Sequence, residues 1–556
     1  MTQVRQTNPW AVLSVLCLGF VMTLVDLTIV NIAIPDMTDD LGSSLDQVLW
    51  VVNSYTLVLA TLIITAGRLG DIHGKGNLFL SGVALFTLAS LACGLAQDPA
   101  QLIAFRAVQG VGAAMLIPQT LSIITDVFPP EKRGAAYGVW GAVAGVSGAI
   151  GPTLGGLLVT HLDWRWVFFI NIPIGILVLV LGLRVMPQHV RVIKHRYDLP
   201  GVLLASAALF CLAFALTEGE RYEWNTWIWT LVAASVALIG VFLVYERGQQ
   251  DNEPLLPFSL FKDRNFSLIN LVGIAVSFGV LGILLPTTIY LQSVLGFSPM
   301  KTGLVLVPLA VGSLFTAGPA GILSEKFGGK YILTAGLSMF GIGITWILLV
   351  AETDSSWTAF VGPLFVAGLG AGCTFAPMGS EVMRNVPPHL TGAASGVNNA
   401  LRQVGSVMAG AVIGAVLQAQ LVSALREEAA ASAGQLPEPY REDFTSSFAE
   451  GAEAVGVGTE QGGGSLPADV PGEVADTFQE LAGKVFSNGF VEALQPTMLV
   501  PAVTMFAGAA LCLALKGGAT PSGMGHGAPA DPKATTDTTD TTDTPGATEE
   551  DSPVTR

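Results

Sequence analysis

The sequence predicts an all-α integral membrane protein of about fourteen transmembrane helices. Three observations carry that reading. Of 556 residues, 51% are hydrophobic and 12% charged, whereas soluble domains carry about a quarter charged residues. Apolar runs of about 20 residues, enough to cross a bilayer, recur along most of the chain. The second half also repeats motifs of the first.

The runs centre on residues 10–34, 48–67, 78–97, 101–122, 136–160, 166–186, 199–217, 227–245, 267–291, 302–322, 331–350, 358–380, 393–420 and 496–516. The first contains Asp26 and is followed by no small-residue cleavage site. It therefore reads as a membrane helix, not a signal peptide. Lys and Arg set the orientation. Loops on one side hold Arg68, Lys75, Lys132, Arg133, Lys326, Lys330 and Arg384. The first loop on the other side holds Asp36, Asp39, Asp40 and Asp46 with no base. Both termini are thus expected in the cytoplasm, with the chain multi-pass in the plasma membrane.

The repeat sets the domain boundaries. GRLGDIHGK at 67–75 answers GILSEKFGGK at 321–330, and PPEKRGAAYGV at 129–139 answers PPHLTGAASGV at 387–397. GVGAA at 110–114 answers GLGAG at 368–372, so every offset is 254 or 258 residues. A six-helix bundle over 1–190, two inserted helices over 191–265 and a second six-helix bundle over 266–516 fit that offset. Duplicated halves with a substrate site between them are a transporter's organisation. Residues 421–494, rich in acids, Gly and Ala, are expected as a long extracytoplasmic loop. Phe478, Leu481, Val485 and Phe490 recur there at helical spacing, which fits either a helix on the membrane surface or one packed on neighbouring loops. The Thr-Thr-Asp repeats within 517–556 predict a disordered cytoplasmic tail.

The net charge of −16 sits mainly in that loop and tail and marks no nucleic-acid partner. The five cysteines lie in apolar runs and read as small hydrophobes. The six histidines are scattered without metal spacing. GVSGAIGPTLGG at 145–156 lacks the Lys-Ser/Thr ending of a phosphate loop. No enzyme chemistry, metal, nucleotide or other cofactor is expected.

Ionisable groups at membrane depth cost roughly 2.5–3.5 kcal/mol each and are kept for a reason. Three lie inside runs: Asp26 on span 1, Arg106 on span 4 and Arg402 on span 13. A carboxyl group in a partly dry site can exchange a proton near neutral pH. Asn398 shares a helix face with Arg402, and Asn399 and Gln403 form a neighbouring pair. With Asn31, Asn53, Tyr55 and Gln109, these are candidates to line a substrate cavity, although interhelical hydrogen bonds are an equal reading. Gly67, Asp71, Gly74 and Lys75 predict a tight charged turn in which Asp71 caps a helix start and Arg133 pairs with it. The second copy keeps Glu325 and Gly328. Gly145, Gly148, Gly151, Pro152, Gly155 and Gly156 give span 5 a face that lets helices approach closely.

These motifs resemble those of the major facilitator superfamily, specifically its fourteen-helix drug:proton antiporter branch. DLTIVNIAIP (26–35) is similar to the first-helix signature and GRLGDIHGK (67–75) to the loop between spans 2 and 3. RAVQGVG (106–112) and GVSGAIGPTLGG (145–156) resemble the fourth- and fifth-helix motifs. WRWVFFINIPIG (164–175) and NNALRQVG (398–405) also look like that branch. The resemblance covers roughly residues 8–420 and the last span. It implies the major facilitator fold, two six-helix bundles plus two extra helices. It also implies that Asp26 couples transport to protons, that Arg106 on the neighbouring span meets it, and that residues 67–75 latch the halves. The fifth-helix motif implies export in exchange for protons. The expected activity is efflux of small hydrophobic drugs or antibiotics, driven by the proton gradient, by a monomer in the bilayer. A dedicated exporter of one metabolite or lipid, or a proton-coupled importer, shares most of these motifs. Span 10 lacks the extra acid found in members that export dications, which favours neutral or monocationic amphiphiles.

Overall fold

The computed structural model describes residues 8–43, 45–186, 198–219, 221–222, 224–250, 254–454 and 472–516. The described residues are helical, with turns and no strand. The long helices are α1 (Pro9–Ile29), α2 (Leu45–His73), α3 (Lys75–Gly94), α4 (Pro99–Val127), α5 (Pro130–His161) and α6 (Asn171–Val185). Then come α7 (Leu199–Glu218) and α8 (Thr226–Gly248). The second half holds α9 (Arg264–Ile289), α10 (Pro299–Phe327), α11 (Gly329–Val350), α12 (Val361–Met383), α13 (Thr391–Ser432), α14 (Glu438–Ala454) and α15 (Gly472–Cys512). Thirteen helices of the described residues are long and apolar enough to cross a membrane. The 32 residues of α5 make a fourteenth of comparable length.

Local sequence starts these helices where the runs begin. A side-chain acceptor followed by proline opens three of them: Asn8-Pro9, Asp98-Pro99 and Ser298-Pro299, each capping a first-turn amide. The acceptor satisfies an orphan N–H, and the proline sits where no N–H is needed. Between α2 and α3, and again between α10 and α11, the chain turns at a glycine with positive φ, 91° at Gly74 and 82° at Gly328. Side chains rarely adopt that backbone region, so both copies of the turn need glycine.

The two halves repeat one packing scheme. In the first, α1 packs on α5 and α6, α2 on α4, and α3 on α4 and α6. In the second, α9 packs on α13 and α15, α10 on α12, and α11 on α12 and α15. The bundles meet along two related seams, α2 with α13 and α5 with α10. At each seam a glycine of one repeat faces the glycines of the other. A Cβ on Gly67 would lie 2.8 Å from the Gly392 carbonyl oxygen and 2.8 Å from Gly396 Cα. A Cβ on Gly321 would strike the Gly134 carbonyl oxygen and come 3.3 Å from Gly138 Cα. The inserted helices pair with each other, and α7 lies against α2 and α13. We call the end bearing Gly74 and Gly328 the basic end, and the opposite end, bearing Asp36 and Asp40, the acidic end.

Within 421–494, which the sequence predicts as a long extracytoplasmic loop, the described residues 421–454 and 472–494 are mostly helical. Helix α13 continues for 42 residues, about 63 Å at ~1.5 Å per residue, against a hydrocarbon core of about 30 Å. Its far half projects beyond the acidic end, where α14 and the start of α15 join it. Phe444 sits edge-on to Phe448 and Phe478, with ring centroids 5.1 and 4.8 Å apart. Leu425, Leu436, Val485 and Phe490 are buried with them. The apolar face foreseen on the last part of this segment is turned onto helices, not onto lipid headgroups. The expected tail, 517–556, lies outside the described residues.

Candidate functional site

The site grows from Asp26, about seventeen residues along α1, or ~25 Å from its start. Asp26 and Arg106 are both 0% exposed. Arg106 is held by α4, whose capped N-terminus at Asp98 places it two turns in from the acidic end. Its Nη1 donates to Asp26 Oδ2 at 2.5 Å and to Gln109 Oε1 at 2.8 Å. Its Nε donates to the Val51 carbonyl of α2 at 3.1 Å. Gln109, one turn further along α4, donates Nε2 to Asp26 Oδ1 at 3.0 Å.

A third donor was not foreseen. Asn171, the first residue of α6, donates Nδ2 to Asp26 Oδ1 at 3.0 Å and to Ser90 Oγ at 3.0 Å, and Ser90 donates onward to the Phe168 carbonyl. Asp26 is thus fixed by α1, α4 and α6 at once. Tyr55 is fully buried and lays its ring 4.4 Å from the Arg106 guanidinium carbon. The Tyr55 hydroxyl and Arg106 Nη2 are the polar atoms of this cluster left without partners. Burying such a pair is costly unless its remaining lone pairs and protons are met, and here both Asp26 oxygens and all but one of the Arg106 nitrogens are. Loss of either partner leaves the other as an uncompensated buried charge.

Span 5 holds α1 in place beside this cluster. Gly151 packs against Thr28 and Gly155 against Ile29, with Ile29 Cγ1 2.9 Å from a would-be Cβ. Gly156 faces Met300 of α10 instead. Gly145, Gly148 and Pro152 lie on α5, with surroundings outside the described residues.

At the basic end, Asp71 of α2 accepts from the amides of Gly392 (3.1 Å) and Ala393 (3.0 Å), which open α13 of the other half. Lys75 donates to Asp126 Oδ2 at 2.6 Å and to Thr391 Oγ1 at 2.6 Å. Ser395 Oγ of α13 donates to the Pro118 carbonyl of α4 at 2.6 Å. These bonds and the Gly67 contact tie the halves together there. Arg133 does not pair with Asp71, contrary to the sequence expectation. It donates to the carbonyls of Phe128 and Thr125, because it lies just past the end of α4, where carbonyls lack helical partners. Gly328 repeats the positive-φ turn, and the Glu325 side chain lies outside the described residues.

The candidate cavity residues fall in several places. Tyr55 and Gln109 belong to the Asp26 cluster. Asn53 donates to Glu218 of the inserted α7 at 2.8 Å, and Asn31 is exposed and bonds back to Leu27 of its own helix. Asn398 donates to Asn270 Oδ1 of α9 at 3.0 Å. Asn399 bonds back to Ser395, and Gln403 is half-buried. Arg402 projects towards α9 and α12, with its stem over Gly273 and its guanidinium carbon 5.7 Å from the Phe375 ring centroid.

Comparison with known proteins settles the family. The Major Facilitator Superfamily model matches residues 16–410. The chain belongs to that superfamily. It is 34% identical to the tetracenomycin C resistance and export protein of Streptomyces glaucescens, over 90% of this chain and 91% of that one. It is 37% identical to the multidrug resistance protein Stp of Mycobacterium tuberculosis, over 73% and 76%. In fold it is similar to the human transporter MFSD10, with a TM-score of 0.57 over 90% of this chain and 99% of that one at 13% identity. The molecule is a multi-pass membrane transporter of small substrates, not an enzyme, and its relatives carry names of multidrug and antibiotic export.

Proposed function

We propose that this transporter exports small hydrophobic drugs or antibiotics across the plasma membrane in exchange for protons, by alternating access of its two bundles. Both termini are cytoplasmic in this reading, so the closed basic end faces the cytoplasm. The observation that carries the reading is the fully buried Asp26–Arg106 pair, with two further donors on the same carboxylate. Proton binding at Asp26 cancels one charge of that pair. The guanidinium then loses its counter-ion, and α1 loses a tie to α4. Release of the proton restores both. A carboxyl group so placed links protonation to helix packing.

The energy suffices. One proton crossing 100 mV supplies about 2.3 kcal/mol, enough for a substrate gradient of roughly fiftyfold at about 1.4 kcal/mol per decade. No nucleotide or other cofactor enters this scheme, and one monomer contains all of its parts. The match to an exporter named for a single compound over nine-tenths of the chain favours, as a second reading, a dedicated exporter with the same coupling. The sign of proton movement tests the proposal. In proteoliposomes with a pH-sensitive dye inside, substrate addition should move protons against the direction of substrate. Movement of both in the same direction would make the protein an importer.

A further inference from the structure

Among the described residues Arg106 and Arg402 lie deep inside spans, and of these two Arg106 alone meets a carboxylate. Arg402 follows Thr391 by eleven residues on the continuous α13, about 17 Å from the basic end at ~1.5 Å per residue. Its stem lies against Gly273 of α9, and its guanidinium carbon is 5.7 Å from the ring centroid of Phe375 of α12. Phe375 reaches the opposite bundle, since a Cβ on Gly141 of α5 would lie 3.1 Å from Phe375 Cβ. Arg402 therefore stands where the halves face each other.

Among the described residues the guanidinium meets no carboxylate and makes no hydrogen bond, and its Nε is buried without a partner. The side chain is nonetheless not sealed in. Arg402 keeps some accessible surface. The nearest acids along the neighbouring elements are committed elsewhere. Glu381 takes the Gly329 amide, Asn265 and Arg384, and Asp71 takes the two α13 amides. A charge at membrane depth with no counter-ion is expensive, and the planar fork of arginine fits two oxygens of one anionic group.

We propose that Arg402 is the recognition site for an anionic oxygen pair on the substrate. The preferred cargo is an amphiphile with a carboxylate, which narrows the proposed efflux function and rests on it. This replaces the expectation of neutral or monocationic cargo. That expectation followed from the missing acid on span 10 and took no account of an unpaired cation on span 13.

The test compares 9-anthracenecarboxylate with its methyl ester, by fluorescence titration of the purified full chain and by substrate-driven proton flux in proteoliposomes. The wild type should bind the carboxylate at least tenfold more tightly than the ester. In Arg402→Gln that ratio should fall to near one, with ester binding within twofold of wild type and no drop in melting temperature. Arg402→Lys should keep part of the preference, as a point charge without the fork. Equal binding of the two probes by the wild type, failure of the carboxylate to bind, or an unchanged ratio in Arg402→Gln overturns the proposal. So does loss of ester binding with a lower melting point, which marks a structural arginine. The two readings separate in the flux arm. If the export reading alone fails, the binding ratio persists but neither probe moves protons. If the anion site alone fails, both probes move protons equally.

Discussion

Asp71 of one bundle caps a helix of the other: its two carboxylate oxygens accept from the amides of Gly392 and Ala393, the first turn of α13. A capping carboxylate is favoured by both the orphan amides and the positive end of the helix dipole. Here the cap joins two bodies, so its strength sets how firmly the basic end stays shut. Asp71→Ala should weaken that closure by about 0.5–2 kcal/mol. Asp71→Asn, which keeps one acceptor oxygen, should lose less. Hydrogen exchange of the Gly392 and Ala393 amides, which Asp71 accepts from, should rise in the order wild type, Asn, Ala.

The glycine seams predict a steric effect of a different kind. Alanine at Gly67 or Gly321 places its Cβ against backbone of the opposite bundle, which no rotamer change relieves. Each substitution should cost about 1–3 kcal/mol of closure, as overpacking does. Gly240 of α8 has nothing within 4 Å of a would-be Cβ, so Gly240→Ala should be neutral or gain up to ~1 kcal/mol from helix propensity. Thermal melting and transport of the three variants check this ranking.

Asn171 serves the Asp26 carboxylate and Ser90 together. Asn171→Ala leaves Ser90 and one lone pair of Asp26 short of a donor. A loss of about 1–3 kcal/mol follows for unsatisfied buried groups, read as a lower melting temperature. Proton flux should persist, because the ion pair to Arg106 remains.

Much of this site was legible in the sequence, for a physical reason. Asp26 and Arg106 each interrupt an apolar run, an isolated charge in lipid demands a partner, and the family resemblance implied that their spans are neighbours. Asn171 was hidden because it opens a short helix, where an asparagine reads as a cap. Its place inside the apolar run at 166–186, level with Asp26, was the available signal. The repeat offset identified Gly67 with Gly321 and Gly134 with Gly392, but not that the two motifs face each other, which is a non-local fact. The period of Phe478, Leu481 and Val485 was visible. Their partners Phe444 and Phe448 sit in an acidic stretch of low hydropathy, so the segment read as a loop.

Outside the membrane, Asp40 accepts from Trp164 Nε1 at 3.1 Å and from Arg165 Nη1 at 2.7 Å. Those bonds, Trp164 first, hold its carboxyl below the usual carboxylate range. A lowered folded-state pKa stabilises above the unfolded value, about 3.9, and that stability is lost as pH falls through the folded value. The pair is solvent-exposed, so Asp40→Asn should cost under ~1 kcal/mol at neutral pH. The difference in melting temperature from wild type should vanish as pH drops below about 4.

The most direct measurement is substrate-driven proton flux in proteoliposomes containing wild type or Asp26→Asn, with substrate binding measured on the same preparations to show that the site is folded. The account expects Asp26→Asn to bind substrate and to move no protons. Proton flux equal to that of the wild type would contradict it and remove Asp26 from the coupling mechanism.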